Sequence, residues 1–379
     1  MPKPLAVVFA DSHLQDRTWK MRAILGDAYF SFEQIVSYTI ERGIRYLIGA
    51  GDLINRRVNE PGPILFLKEQ LDRLQQAGVT LLYVQGQHEM DEQPWLGLGD
   101  KSAVHLHHKT LDLGGLGVRG LDFQPADKLK AELDAIAEDV DVLVAHQVWL
   151  DFMGDLTLPQ GEFADVSQVK LLVTGDYHKS IYDVKKHRRK DGGLLKVYSP
   201  GATHQLKIDE PSECSFGLLL DDCTIKRVPL LTRKCDDFSI MTEDQLNHFL
   251  SAVEAFLEGA SDYATDKGLP PELHLPLWRF TYSHRLSDLP ARIGKIVGGR
   301  ANLFWKEQPP TEDEKQELSP EIRATVLKDK DQLVTLASCL PLAVNKDEEP
   351  EVFGVCQRLL DAENPEVELA KWKKEILDE

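Results

Sequence analysis

Seven side chains of metal-binding types stand at the ends of five short apolar runs. The runs cover residues 5–10, 46–50, 79–84, 142–145 and 171–174, and the side chains that follow them are Asp11, His13, Asp52, Gln87, His146, Asp176 and His178. If the runs are neighbouring parallel strands, their carboxyl ends open onto one crevice, where residues far apart in sequence can meet. Carboxylates, an amide and imidazoles without thiolates suit Mn²⁺, with Mg²⁺ as the other candidate. The set is large enough for about two octahedral ions beside water, so we predict a dimetal site.

A dimetal site of this kind suits the hydrolysis of a phosphoester. Two ions about 3.5–4 Å apart can activate a bridging water, align it for in-line attack on phosphorus and stabilise charge on the phosphate oxygens. Asp52 is the natural bridging ligand. His88 follows Gln87 directly and is not needed as a ligand, so we predict that it donates a proton to the leaving oxygen. The alternative for His88 is a structural histidine that supports the ligands. The chain is therefore expected to be an enzyme.

Apolar runs alternate with segments of helical periodicity in the first part of the chain. Helices are predicted near 32–42 and 63–76, between strands at 5–10, 46–50 and 79–84. Further strands are predicted near 104–123, 142–145, 171–174, 194–198 and 216–220, with glycine-marked turns between them. This order predicts an α/β (α+β) fold, in which a two-layer mixed β-sandwich is flanked by helices and its core closes near Leu231.

The rest of the chain predicts a small α/β cap, a linker and a helical segment. A capping-box pattern at Thr242 and Gln245 begins a predicted helix over 242–257. A strand at 277–282, a helix near 288–297 and a strand at 303–305 complete the cap over 232–306. Residues 307–345 form a linker and cap extension, with a charged, proline-containing stretch at 307–320. Apolar positions at helical spacing predict a helical segment over 346–379.

Five short motifs resemble the signature of calcineurin-like metallophosphoesterases. They are D-S-H from Asp11, G-D from Gly51, G-Q-H-E from Gly86, the lone His146 and G-D-Y-H from Gly175, within about the first 200 residues. Within that superfamily, G-D-L-I-N followed by P-G-P, then A-H-Q and Y-S-P-G, are similar to the SbcD-type double-strand-break repair nucleases, the meiotic-recombination-eleven family. The resemblance implies a calcineurin-like metallophosphoesterase fold, with 1–231 as the nuclease domain and 232–306 as a DNA-binding cap.

The resemblance also implies a role for each matched residue. It assigns Asp11, His13, Asp52 and His178 to one ion, and Asp52, Gln87, His146 and Asp176 to the other, with His88 as the catalytic histidine. Three positions depart from the family pattern, which has Asn at 87, His at 176 and usually His at 55, where this chain has Gln87, Asp176 and Asn55. The added carboxylate is expected to reduce the Lewis acidity of the second ion, and Asn55 bears on exonuclease activity.

A basic cluster begins seven residues after His178. Its members are Lys185, Lys186, Arg188, Arg189 and Lys190, and the sequence Asp191-Gly192-Gly193 next to them predicts a turn. A basic hairpin beside the catalytic crevice suits contacts with the phosphate backbone of DNA. The alternative is an ordinary solvated turn.

Together with the resemblance, these features predict a Mn²⁺-dependent DNA nuclease. The implied activities are 3′ to 5′ exonuclease and endonuclease cleavage of DNA ends in DNA repair or recombination. The implied partners are DNA, a second copy of the chain in a homodimer, and a coiled-coil, SMC-like ATPase that binds the 346–379 segment. Two alternatives stay open: a cytoplasmic phosphodiesterase of small phosphoesters, and a weakly catalytic scaffold that binds DNA ends.

Composition excludes several other classes of protein. The 379 residues are 42% hydrophobic and 28% charged, which is typical of globular domains rather than of a disordered chain. A net charge of −18 argues against nonspecific coating of nucleic acid or membranes. The apolar runs are too short for a signal-peptide core or a membrane span, so we expect a cytoplasmic protein.

Overall fold

The computed structural model describes residues 2–15, 26–55, 61–90, 102–136, 140–153, 161–183, 189, 191–206, 210 and 212–309. The strands in these ranges are β1 Pro4–Phe9, β2 Tyr46–Ala50, β3 Thr80–Val84, β4 Ala103–His105, β5 Thr110–Leu113, β6 Leu116–Leu121, β7 Val142–His146, β8 Leu171–Gly175, β9 Ile181–Asp183, β10 Lys196–Ser199, β11 Ser215–Leu220, β12 Ile225–Pro229, β13 Cys235–Ile240, β14 Leu277–Ser283 and β15 Asn302–Gln308. The α-helices are α1 Asp27–Glu41, α2 Pro61–Gln76, α3 Ala126–Asp134, α4 Leu150–Met153, α5 Glu243–Asp266 and α6 Leu289–Val297.

Strands β1 to β12 form two six-stranded mixed sheets. The first has the order β12-β11-β1-β2-β3-β4, and the second has the order β5-β6-β7-β8-β10-β9. In the first sheet β1 to β4 are parallel, and in the second β6, β7, β8 and β10 are parallel. Antiparallel strands complete the edges of both sheets. The parallel strands of each sheet therefore end at one edge, which is where binding crevices form in such sheets.

Alternate residues of the parallel strands face different cores. Ala6, Val8 and Ile48 of the first sheet pack with Val142 and Val144 of the second in a core that lies between the sheets. The intervening residues pack under α1 and α2 outside the first sheet, and under α3 outside the second. Because both faces of these strands are covered, their sequences are continuous apolar runs. The predicted fold class, a two-layer mixed sandwich flanked by helices, is confirmed.

The third sheet has the order β13-β14-β15 and a core of its own under α5 and α6. The predicted capping box is present, because Thr242 Oγ1 accepts a hydrogen bond from the Gln245 backbone N–H at 3.3 Å. The predicted end of α5 at residue 257 is wrong. The helix continues to Asp266 because Ala260 and Ala264 are buried along one side of it.

Other boundaries also differ from the prediction. The sequence did not predict β9, β12 or β13, and β15 extends to Gln308, so the first two residues of the predicted linker are strand. Residues 2–307 belong to one compact unit, and the division at 231 stays a prediction. Residues 310–345 of the predicted linker and the predicted 346–379 segment lie outside the described residues. Among the described helices, none is long and apolar enough to cross a membrane.

Candidate metal centre

The turns that follow β1, β2 and β8 place acidic side chains in an unusual backbone conformation. Asp11, Asp52 and Asp176 have φ angles of 50°, 51° and 70°, and His13 has a φ angle of 37°. Hydrogen bonds join the first two turns: the Asp11 N–H donates to the Gly51 carbonyl at 3.1 Å, and the His13 N–H donates to the Asp52 carbonyl at 2.9 Å. Left-handed backbone is unfavourable for side chains with a Cβ and is often found at functional sites.

Glycines before the acidic and amide residues allow the turns to approach one another. A Cβ atom on Gly86 would lie 2.6 Å from the carboxylate carbon of Asp52. Gly51 has a φ angle of 90°, and a Cβ there would overlap the imidazole of His146. The G-D and G-Q-H-E motifs therefore need glycine because the side chains of the cluster occupy the space beside it.

Asp52 lies at the centre of the cluster. Its Oδ2 atom is 3.4 Å from His146 Nε2, 3.5 Å from His13 Nε2 and 3.9 Å from His88 Nε2. Three overlapping groups of side chains each have ligand atoms within 4.8 Å of one another: Asp11, His13 and His178; His13, Asp52 and His88; Asp11, Asp52 and His146. Asp176 lies next to the third group, with its Oδ1 atom 4.0 Å from His146 Nε2.

Several of these ligand atoms are buried without a hydrogen-bond partner. They are Asp11 Oδ2, both ring nitrogens of His13, Asp52 Oδ2, Gln87 Oε1 and His146 Nε2. Burying a polar atom without a partner costs roughly 1–3 kcal/mol, so such atoms rarely gather in one place by chance. Carboxylate oxygens, an amide oxygen and imidazole nitrogens are the ligands that Mn²⁺ and similar cations take. The residues present therefore fit a metal centre.

Hydrogen bonds fix the orientation of the ring and amide groups. His146 Nδ1 donates to the Ala50 carbonyl at 2.7 Å, which directs Nε2 to the centre of the cluster as the atom that would bind a metal ion. His178 Nδ1 lies 2.6 Å from Glu210 Oε1. Gln87 Nε2 donates to Asp176 Oδ1 at 2.7 Å, so two of the three residues that depart from the family pattern are in direct contact.

The charges of the cluster are strongly coupled. Burial raises the pKa of the Asp11 carboxyl to about 6. Burial is the largest single effect on Asp52 and His146 and opposes their charged forms, but their attraction to each other and to the other charges of the cluster together outweighs it. The pKa of Asp52 therefore falls below its usual range, and the pKa of His146 rises to about 10. Burial lowers the pKa of His13 well below its usual value. The centre thus keeps a negative carboxylate that attracts positive charge, which a metal ion can supply.

His88 borders the cluster and is more accessible than the other side chains. Its side chain is 39% exposed, and its backbone N–H donates to Asp52 Oδ1 at 3.1 Å. Nδ1 lies 2.5 Å from the Asn55 carbonyl oxygen, so Nδ1 carries the hydrogen and Nε2 faces the carboxylate of Asp52. This position suits a proton donor to a substrate, and the distances equally allow His88 to act as a ligand.

The structure brings all seven predicted ligands and His88 together. Two supporting residues were missed by the sequence analysis. Glu89 is buried and its Oε1 accepts from the Ile54 N–H at 2.9 Å; burial raises the pKa of its carboxyl to about 8. Glu210 holds His178. Glu89 is the last residue of the G-Q-H-E motif, so its acidic side chain at a strand end could have indicated a supporting role. Nothing in the local sequence indicates such a role for Glu210.

The predicted basic cluster is described only at Arg189. Its backbone N–H donates to the Gly193 carbonyl at 2.8 Å, which forms the predicted turn, and its guanidinium pairs with Asp191 at 2.6 Å. The flanking strands β9 and β10 pair as a hairpin. The other members, Lys185, Lys186, Arg188 and Lys190, lie outside the described residues.

Parts of the chain are similar to proteins named DNA double-strand break repair protein Mre11. The protein of Haloferax volcanii is 30% identical over 148 residues, which are 38% of this chain and 34% of that protein. The protein of Methanosarcina mazei is 24% identical over 226 residues, 55% of this chain and 35% of that protein. The protein of Methanosarcina acetivorans is 25% identical over 186 residues, 45% and 30% of the two chains. The matched segments thus span about a third of these relatives.

These matches confirm the resemblance to the meiotic-recombination-eleven family that the motifs G-D-L-I-N with P-G-P, A-H-Q and Y-S-P-G predict. No protein-family profile matches the chain. Among solved structures, a dimetal phosphatase from Danio rerio superposes with a TM-score of 0.41 at 12% identity, over 60% of this chain and 96% of that one.

Proposed function

We propose that this chain is a metal-dependent phosphodiesterase that cleaves DNA. The observation that carries the proposal is the convergence around Asp52 of buried ligand atoms without hydrogen-bond partners, which come from the ends of four strands, β1, β2, β3 and β7. Few structural roles explain carboxylates and imidazoles packed together in this way, because the atoms that face the centre lose hydration without gaining a hydrogen-bond partner. A pair of divalent cations would compensate all of them at once.

The residues would hold two ions, Mn²⁺ or Mg²⁺, with Asp52 shared between them. Asp11, His13 and His178 complete one position, and Gln87, His146 and Asp176 complete the other. Bound ions supply an activated water and charge stabilisation for the attacked phosphate. The chain's own contribution is to orient the ligands, through the bonds to Ala50 and Glu210, and to offer His88 as the proton donor for the leaving oxygen.

DNA is the proposed substrate because of the similarity to Mre11 repair proteins and the predicted basic cluster that includes Arg189. We extend the proposal to cleavage at DNA ends, by 3′ to 5′ exonuclease and endonuclease action, in repair or recombination within the cytoplasm. The proposed assembly is a homodimer bound to a coiled-coil, SMC-like ATPase through residues 346–379. The cap at 232–306 is proposed to contact DNA.

A cleavage assay with a matched pair of histidine variants tests this proposal. End-labelled duplex and hairpin DNA are incubated with the full chain in Mn²⁺, Mg²⁺ or chelator, and cleavage is expected only with metal. The His88→Gln variant is expected to keep Mn²⁺ binding but to lose about 10²- to 10⁴-fold in rate, the usual contribution of a general acid. His108→Gln is the control. His108 is exposed, its Nε2 lies 2.6 Å from Glu132 Oε2, and it belongs to none of the groups of candidate ligands around Asp52.

The same assay separates the two alternatives. Metal-dependent hydrolysis of bis(p-nitrophenyl) phosphate without any cleavage of DNA would favour a phosphodiesterase of small phosphoesters. Binding of DNA ends without cleavage would favour a scaffold. The contact between Gln87 and Asp176 bears on this alternative, because the Gln87 amide occupies one oxygen of the Asp176 carboxylate, a proposed metal ligand. Near-normal cleavage by His88→Gln would remove His88 from the mechanism.

A further inference from the structure

The ring of His178 is held by a carboxylate that belongs to a distant part of the chain. His178 Nδ1 lies 2.6 Å from Glu210 Oε1, and the two side chains are only 19% and 13% exposed. An ionised carboxylate has no proton to give, so Nδ1–H is the donor and the lone pair is on Nε2. We propose that Glu210 is the positioning residue of His178, fixing the tautomer and the ring angle that a metal ion requires.

Glu210 is itself held at both its side chain and its backbone. Its second carboxylate oxygen, Oε2, accepts from the Leu206 N–H at 2.9 Å. Its backbone carbonyl accepts from Gln205 Nε2 at 2.7 Å and from Arg279 Nη1 at 2.8 Å. A carboxylate with both oxygens engaged and a fixed backbone has little freedom to leave the imidazole. These contacts make the orientation of His178 depend on Glu210.

Arg279 connects this arrangement to the third sheet. It lies in β14, and its guanidinium makes two bonds of 2.5 Å to the carboxylate of Asp237 in β13. The remaining nitrogen, Nη1, reaches the Glu210 carbonyl. The contacts therefore run from Asp237 through Arg279 and Glu210 to His178. The third sheet, which contributes none of the proposed ligands, thus helps to set the geometry of the metal centre.

The ring of His146, another proposed histidine ligand, is held in a different way from the ring of His178. Its Nδ1 donates to the backbone carbonyl of Ala50, a partner that no side-chain substitution removes. His178 instead depends on a side chain that carries a negative charge. A carboxylate behind a metal-bound histidine raises the basicity of the ring, and losing such a partner typically weakens metal binding by about 10- to 100-fold. The metal affinity of the centre is therefore tunable from Glu210.

Mn²⁺ titration of the metal-free full chain tests the inference, which rests on the proposed metal centre. Glu210→Gln, which keeps the shape but removes the charge, is expected to weaken one Mn²⁺ site by about 10-fold, and Glu210→Ala to weaken it further, towards 100-fold. Glu213→Gln is the matched control, because Glu213 is an exposed carboxylate in the same segment. It removes the same charge and is expected to leave Mn²⁺ affinity unchanged.

A second pair of variants tests the connection to the third sheet. Arg279→Gln is expected to weaken Mn²⁺ binding in the same direction but by less than Glu210→Ala, because Arg279 acts through the Glu210 backbone. Arg300→Gln is its control: Arg300 makes a similar two-bond pair with the exposed Glu254, at 2.6 and 2.7 Å. Its Mn²⁺ affinity is expected to match that of the unmodified chain.

The outcomes separate a positioning role from a structural one. If the metal-free Glu210→Gln variant unfolds at a lower temperature but binds Mn²⁺ with the affinity of the unmodified chain, Glu210 has only a structural role and the inference is overturned. Equal weakening by Glu210→Gln and Glu213→Gln would reduce the effect to long-range charge and would overturn it as well. If the unmodified chain binds no Mn²⁺ at all, the proposed metal centre fails instead, and the two failures are distinguishable.

Discussion

Replacing Asp52 with alanine is expected to remove both metal ions, because one carboxylate oxygen reaches both halves of the cluster. Asp52 Oδ2 lies 3.5 Å from His13 Nε2 and 3.4 Å from His146 Nε2, which are assigned to different ions. A ligand at about 100 times its Kd stabilises the folded state by about 2.7 kcal/mol for each site. At about 1.5 °C per kcal/mol for a folded unit of about 300 residues, one ion raises the melting temperature by about 4 °C. The Asp52→Ala variant is expected to show no such increase.

Elemental analysis and thermal unfolding, each with and without Mn²⁺, measure the two parts of this prediction. Asp72→Ala is the control, since Asp72 makes an exposed pair with Lys68 at 2.9 Å on α2, a contact worth less than about 1 kcal/mol. It is expected to retain both ions and the full increase in melting temperature. Two Mn²⁺ ions bound to Asp52→Ala would refute the central position of this carboxylate. A single retained ion would mean that Asp52 serves only one position.

Three further perturbations test other parts of the molecule. Gly86→Ala is expected to lower Mn²⁺ affinity and to lower the stability of the fold by about 1–3 kcal/mol, because its Cβ would lie 2.6 Å from the carboxylate carbon of Asp52. Gly294→Ala is the control, because Gly294 has open space around it, and this variant is expected to lower neither quantity. Equal melting temperatures of the two variants would contradict the prediction. Single and double alanine variants of Gln87 and Asp176 are expected to be non-additive in metal-free urea unfolding, with about 0.5–3 kcal/mol of coupling; additive values would show that their contact contributes nothing. A chain truncated after residue 350 is expected to stay folded and cleave DNA but not to co-purify with the ATPase; unchanged co-purification would place the docking site elsewhere.

The central strands could be predicted from the sequence because they are covered on both faces. The run at 46–50 is strand β2, and the run at 142–145 lies in β7. Strand β13 could not be predicted, because Asp236 and Asp237 interrupt its apolar pattern. It is a strand because it pairs in parallel with β14 and because Arg279 binds the carboxylate of Asp237. Neither partner is visible in the local sequence, so only the tertiary structure reveals the strand.

The proposed ligands could be predicted because each follows an apolar run, where the end of a parallel strand places it. The residues that support them could not. Glu210 lies 32 residues from His178, and the described residues nearest to it, 201–206 and 212–214, belong to no strand or helix that would direct its side chain to the imidazole. Sequence patterns report which face of an element is buried, but a contact between two irregular segments depends on how both are packed. The supporting contacts of a site are therefore less predictable than its ligands.

Gln87 and Asp176 are the two ligand positions that depart from the family pattern, and their contact changes how the departures are understood. Gln87 Nε2 donates to Asp176 Oδ1 at 2.7 Å, while Gln87 Oε1 is buried without a partner. The amide nitrogen therefore satisfies one oxygen of the carboxylate, and the amide oxygen stays free to bind a cation. Considered one at a time, each substitution would weaken the second ion position. As a pair they give it oxygen ligands with His146 as its nitrogen ligand, a set that favours Mn²⁺ or Mg²⁺ over softer ions. The two departures are thus compatible with a centre that still binds metal.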